Sequence, residues 1–228
     1  MIKVIIFDFD GTIIDSNRIK YEAFFRIFPR RKEIERIVKK VLNRYREETR
    51  FLIIKKILTE LKKKGEINFN DLEREISIYV QKYNKIVEAE AIECHEIKGA
   101  RESLKVLSER FILYINSTTP FYSLRRIIQK RSLTAFFKDI YGAPGSKIEN
   151  LSKILKKEKI RGNEALIVGD GQSDLESAKK FGCKFIGIRS IFNVFTARDG
   201  KLLNDLRNLP GLIALMNQNA EQRFKKNI

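Results

Sequence analysis

A change of hydrophobic period divides this 228-residue sequence. Lys3–Asp8 is a short apolar, β-branched run and reads as a buried strand. The next eighty or so residues read as helices only. Asn17–Phe28 carries Ile19, Ala23, Phe24 and Ile27 at helical spacing and is closed by Pro29. Ile34, Ile37, Val38, Val41, Leu42 and Tyr45 make a second stripe; Leu52, Ile53, Ile57, Leu58 and Leu61 make a third, stopped by Gly65. Behind the cap-like cluster Phe69-Asn70-Asp71, Leu72, Ile76, Tyr79, Val80 and Tyr83 make a fourth. From Gly99 the pattern becomes alternation. A helix at Ala100–Ser108 precedes a strand at Phe111–Asn116, and Pro120 opens a helix to about Arg131. Ile140–Gly142 is a short strand, Lys147–Lys157 a helix, Ala165–Val168 a strand, Ser173–Phe181 a helix and Phe185–Ile188 a strand. A last helix covers Leu209–Met216, and Asn217–Ile228 is expected to fray.

Strands alternating with helices imply a parallel sheet flanked by helices, an α/β fold. An all-helical block behind the first strand then reads as an insertion that forms a second, smaller domain. The expected division is a core of residues 1–14 and 97–228 with a helical insertion over 15–96.

Composition excludes several classes of site. There is one histidine, His95, and there are two cysteines, Cys94 and Cys183. That rules out a His pair and falls short of the four ligands of a structural zinc site. At most one disulfide can form, which makes a reducing, cytoplasmic location the expectation. The N-terminal run turns acidic at Asp8, too early for a signal peptide, and no apolar run approaches the ~18–20 residues that span a bilayer. Lys and Arg number 46 against 29 Asp and Glu, a formal charge of +17. The excess is spread along the chain, densest at Arg30-Arg31-Lys32, Lys62-Lys63-Lys64, Lys153 to Arg161 and the tail Arg223, Lys225 and Lys226. Most of these fall on polar helix faces, so solvated surface is the reading. No RNA-binding aromatic motif and no helix-turn-helix pattern accompanies them, so no specific nucleic-acid partner is expected.

Chemistry concentrates at three strand ends. Asp8-Phe9-Asp10-Gly11-Thr12 closes the first strand with two carboxylates one residue apart. Gly11 permits a sharp turn whose N–H groups can meet an anion. Gly169-Asp170-Gly171-Gln172-Ser173-Asp174 lies where another strand ends, and Ser117-Thr118 comes directly after Phe111–Asn116. Ligands of open parallel sheets gather at these carboxyl ends. Lys147, opening a helix, can bring a positive charge to the same place. Clustered carboxylates need a cation, and an oxygen-only set favours Mg²⁺ beside a phosphate. An EF-hand reading of Asp8–Asp15 fails: its Gly is misplaced, no Glu closes the loop, and a strand precedes it.

These pieces resemble the haloacid dehalogenase superfamily, in particular its phosphoglycolate-phosphatase-like branch. The resemblance rests on Asp8-Phe9-Asp10-Gly11-Thr12-Ile13-Ile14-Asp15-Ser16, then Ile115-Asn116-Ser117, then Lys147, then Gly169-Asp170 with Asp174. Thr118 departs from it, standing where these phosphatases often carry Asn. The resemblance implies a Rossmann-like three-layer core with an all-helical cap that closes over substrate. It also implies a Mg²⁺-dependent phosphatase acting on a phosphorylated small molecule, with no membrane partner. Asp8 would be the nucleophile and Asp10 the acid and base. Ser117 and Lys147 would act on the phosphoryl group, with Gly11 and Thr118 in its binding loop. Asp8, the backbone carbonyl of Asp10 and Asp170 would hold the metal, with Asp174 supporting. A β-phosphoglucomutase-like sugar phosphomutase shares this fold and nucleophile and stays open as an alternative, though His95 lies near the expected cap–core junction. A basic nucleic-acid-binding protein on a phosphatase fold is the alternative from another class.

Overall fold

A computed structural model describes residues 1–45, 48–190, 193, 195–196 and 198–226, with side chains described as far as 222. The described chain forms two compact units, Asn17–Glu93 and the pair of segments Met1–Ser16 and Cys94–Ile228.

The described residues of the unit Asn17–Glu93 form four helices: α1 (Asn17–Arg26), α2 (Lys32–Tyr45), α3 (Arg50–Lys63) and α4 (Leu72–Glu93). Its core follows the stripes read from the sequence, with Ile54 added to the third and Leu52 and Tyr45 only half-buried. Phe24, Ile34, Val38, Ile54, Ile57, Leu58, Leu61, Val80 and Tyr83 pack together out of water. Burying each such side chain contributes ~1.5–3 kcal/mol of transfer free energy. Gly65 ends α3 for a backbone reason. Its φ of 72° lets its N–H reach the Lys62 carbonyl while the Glu66 N–H reaches that of Leu61, which satisfies two orphan carbonyls.

The other unit alternates strands and helices. In chain order it runs β1 (Val4–Phe7), α5 (Ala100–Ser108), β2 (Ile112–Pro120), α6 (Phe121–Lys130), β3 (Asp139–Ala143), α7 (Lys147–Glu158), β4 (Ala165–Gly169), α8 (Gln172–Phe181), β5 (Lys184–Ile188), β6 (Lys201–Leu203) and α9 (Leu209–Lys226). All pairings are parallel, in the order β3-β2-β1-β4-β5-β6. From β1 the chain winds first toward β3, then returns across β1 to β4 and on to β6. Right-handed crossovers put the helices of the two directions on opposite faces. Val4 and Ile6 of β1 accordingly share a cluster with Leu151 and Ile154 of α7 and with Leu175 and Ala178 of α8. This is the three-layer, Rossmann-like α/β fold expected.

Three details differ from expectation. β6 has only three residues, too few for a period to show. The strand read as ending at Asn116 continues to Pro120, with its register against β3 shifting between Asn116 and Pro120. The segment expected to fray from Asn217 is helical as far as Lys226, and Asn217 is tied back by a hydrogen bond from the Ile2 N–H at 2.8 Å; Asn227 and Ile228 lie outside the described residues. The basic runs at 30–32, 62–64 and 153–161 place their Lys and Arg side chains on exposed positions, while the side chains of the tail run at 223–226 lie outside the described set. Among the described residues no helix is long and apolar enough to cross a membrane.

Candidate active site

The topology reverses at β1, which has β2 on one side and β4 on the other. Ligands of open α/β sheets bind outside the carboxyl ends of strands at such a point. Phe7 is level with Ile115 and with Val168, so Asp8, Asn116 and Gly169 follow at the same level on adjacent strands. Ser117 and Asp170 come one residue later. Behind Asp8 the chain turns at Gly11, whose φ is 73° and whose N–H donates to the Ile14 carbonyl at 2.8 Å. The Asp15 N–H then donates to the carbonyl of His95, an exposed residue, and the Ile97 N–H donates to that of Ile13.

Lys147 lies between two of the acids. Ser146 caps α7 through the Glu149 N–H, and Glu149 caps in return, which fixes the first turn. Lys147 opens that turn, and its Nζ lies 2.6 Å from Asp8 Oδ2 and 2.7 Å from Asp174 Oδ2. All three groups are buried. Asp174 also accepts from the Gly171 N–H at 3.2 Å, and Asp170 accepts from the Thr12 hydroxyl at 3.3 Å. Gly169 is required here, because a Cβ on it would lie 2.4 Å from Asp174 Cγ.

Asp10 faces a different set of partners. Ser16 donates to its Oδ1 at 2.6 Å and Thr119 donates to its Oδ2 at 2.7 Å, all of them buried. Ser117 is buried in β2 where its register shifts, its Oγ accepting from the Thr119 N–H at 3.1 Å, whereas Thr118 between them is exposed. The structure therefore gathers Asp8, Lys147, Asp170 and Asp174 through direct contacts or close carboxylates. It holds Asp10 on two hydroxyls and leaves Thr118 on the surface.

The electrostatics match the crowding. Burial is the largest influence on Asp174, and Asp8 and Asp170 add to it; together they outweigh Lys147 and raise the Asp174 pKa well above its ordinary value. Burial also works against the charge on Lys147, but Asp174 and Asp8 outweigh it and leave the lysine pKa raised. Asp8, Asp170 and Asp174 offer carboxylate oxygens within 4.8 Å of one another. An all-oxygen donor set with more negative charge than one ammonium neutralises suits a hard divalent cation such as Mg²⁺. The carboxylate of Asp10 stands outside this trio.

Sequence reasoning quoted Thr12 and Asn116 within its motifs without giving either a role, and passed over Thr119 and Asn150. A signal existed for two of them. Asn116 interrupts an apolar strand, and Asn150 sits beside the apolar positions Leu151 and Ile154 of α7.

A parallel α/β sheet with an acidic cluster at its switch point is a site of the Rossmann-like class. Residues 5–188 match the haloacid dehalogenase-like hydrolase family, and the chain belongs to it. A phosphoglycolate phosphatase from Vibrio vulnificus (strain YJ016) is 28% identical over 105 residues, which is 43% of this chain and 46% of that protein. The match thus spans less than half the length of that curated relative. Among solved structures, a predicted phosphoglycolate phosphatase from Haemophilus somnus superposes with a TM-score of 0.73 at 17% identity, covering 93% of this chain and 98% of that one. A protein assigned as the HAD-hydrolase YfnB from Bacillus subtilis, bound to magnesium, gives 0.71 at 18% identity, covering 93% and 99%. One assigned as a β-phosphoglucomutase from Thermotoga maritima gives 0.69 at 18%, also covering 93% and 99%. At these identities the structural likeness concerns the fold alone.

Proposed function

We propose that this chain is a Mg²⁺-dependent phosphatase that hydrolyses a small-molecule phosphomonoester through an aspartyl-phosphate on Asp8. Residues 1–14 and 97–228 form its catalytic core, and 15–96 an inserted cap. The observation that carries this reading is the buried Lys147 ammonium held between Asp8 and Asp174, inside a carboxylate trio at adjacent strand ends. The partial match to a phosphoglycolate phosphatase supports the substrate class.

In the first step an Asp8 carboxylate oxygen attacks phosphorus, and the bond from phosphorus to the leaving oxygen breaks. Asp10 delivers a proton to that oxygen, then takes one from the water that cleaves the aspartyl-phosphate, releasing inorganic phosphate. Ser16 and Thr119 hold the Asp10 carboxyl in one orientation for both transfers. Lys147 and Ser117 offset the charge on the phosphoryl oxygens, with the Gly11 turn and Thr118 completing the binding loop. Asp8, the Asp10 carbonyl and Asp170 would hold Mg²⁺ with support from Asp174, and the ion when bound adds positive charge against the phosphoryl oxygens.

The test is hydrolysis of p-nitrophenyl phosphate with Mg²⁺ and with EDTA, by the wild type and by Asp8→Asn. The expected result is metal-dependent turnover that the variant loses while remaining folded. Turnover by Asp8→Asn near the wild-type rate sinks the assignment.

A further inference from the structure

Asn116 and Asn150 form a buried amide pair that belongs to neither the carboxylate trio nor the Asp10 clamp. They are 3% and 2% exposed. Asn150 Nδ2 donates to Asn116 Oδ1 at 3.1 Å and to the Gly145 carbonyl at 3.3 Å. Asn116 Nδ2 donates in turn to the backbone carbonyl of Lys147 at 2.8 Å. The packing is tight: a Cβ on Gly145 would lie 2.3 Å from Asn150 Oδ1.

Two apolar side chains of similar size could fill this space without the cost of burying two amides. What only the amides provide is direction. The Lys147 carbonyl belongs to the first turn of α7, and a second hydrogen bond from another element fixes the rotation of that turn about the helix axis. Lys147 reaches Asp8 and Asp174 from that turn. Asn116 also immediately precedes Ser117 on β2. The pair therefore joins the two elements that present Lys147 and Ser117, and sets the spacing between them.

We infer that Asn116 and Asn150 are positioning residues that fix the Lys147 ammonium relative to Ser117. The inference rests on the roles proposed for Lys147 and Ser117 in phosphoryl transfer. A positioning role differs from plain packing in what it moves. A group displaced by about 1 Å loses on the order of 10²-fold in rate, whereas substrate association, spread over other contacts, changes little.

The experiment compares wild type, Asn150→Ala, Asn116→Ala, the double variant and the shape-preserving Asn150→Asp. Each is checked for folding by urea titration. Turnover of p-nitrophenyl phosphate is measured at saturating Mg²⁺, and the Lys147 ammonium is monitored by NMR of ¹⁵N-lysine protein, its signal assigned by its loss in Lys147→Met. The folded single variants are expected to lose about 10- to 100-fold in kcat with KM within about threefold, and to shift or broaden the ammonium signal. The double variant is expected to be no slower than the worse single one, since the two side chains act as a unit. A folded Asn150 variant with kcat within about twofold of wild type overturns the inference, as does a double variant whose losses multiply. If the wild type hydrolyses no phosphate ester, the phosphatase reading fails and the ammonium signal decides alone. An unchanged signal in folded Asn150→Ala and Asn150→Asp then overturns the positioning role, and a displaced one upholds it.

Discussion

Replacing Lys147 by methionine keeps most of its volume and removes its charge. The ammonium lies 2.6 Å from Asp8 and 2.7 Å from Asp174, and the side chains of Lys147, Asp8 and Asp174 are 4%, 10% and 3% exposed. Water cannot take over its role at that depth. Removing one partner from a buried ion pair costs ~3–5 kcal/mol, and here two carboxylates lose their partner beside Asp170, so the upper part of that range is expected in EDTA at pH 8. The sign of the pH dependence comes from Asp174. Its carboxyl pKa is raised by burial, with Asp8 and Asp170 adding, and Lys147 is what restrains the rise. A folded-state pKa above the unfolded one means the native state binds the extra proton, so stability falls as pH rises through the interval above the ordinary carboxylate range. Without Lys147 that interval widens. The loss in Lys147→Met is therefore smaller at pH 5 than at pH 8, and added Mg²⁺ shrinks it further. Urea unfolding at both pH values, with EDTA and with Mg²⁺, measures all three. A loss below about 1 kcal/mol at pH 8 in EDTA, or one that grows on acidification, refutes a buried bridging role for this lysine.

The same geometry sets other outcomes. Asp10→Asn is expected to lower turnover by roughly 10²–10⁴-fold while leaving Mg²⁺ affinity near wild type, because the carboxylate meets Ser16 and Thr119 rather than the trio. Asp170→Asn is expected to raise the Mg²⁺ requirement instead; kinetics across a Mg²⁺ titration separate the two. Burial pushes the Cys183 thiol up to about 11 and also raises Cys94. At pH 8 the Cys183 thiolate is then ~0.1% of the thiol, so reaction with Ellman's reagent is slow in the native protein and fast in urea; rapid native labelling contradicts this. DNA or RNA binding is expected to be weak and to weaken steeply with salt. Tight, sequence-selective binding at physiological salt argues for a nucleic-acid-binding role.

Where one residue type serves one purpose, function and fold are legible in the sequence. The helical stripes of Asn17–Glu93 are legible because each buried face repeats over three or more turns. An Asp after an apolar run is commonly a turn former or helix cap, so the strand ends are legible through the ordered conjunction of several of them, and Asp8, Asp170 and Asp174 do converge. Short or non-repeating features are not. β6 is three residues long and enters from Gly200, a glycine at φ 143°, so it has no alternation to detect. The partners of Asp10 are ordinary hydroxyls from distant positions, and only the fold shows that Thr119 lies opposite Ser16 on one carboxylate. Thr118 and Thr119 are adjacent and chemically alike, yet strand alternation buries one and exposes the other. Sequence reasoning puts the phosphate loop at Thr118 and passes over Thr119.

In the proposed mechanism Asp8 carries the phosphoryl group between substrate and water. Rapid acid quench during turnover of p-nitrophenyl phosphate, with proteolysis and mass spectrometry of the quenched protein, tests it most directly. The use of Asp10→Asn, which slows hydrolysis of the intermediate, makes the phosphoryl group accumulate. The expected result is a peptide spanning Val4–Arg18 that gains one phosphoryl group, localised to Asp8 by fragmentation, lost on hydroxylamine treatment and absent when Asp8→Asn is added. A stoichiometric burst of nitrophenol with no phosphoryl group on Asp8, or with the label on another residue, contradicts the account.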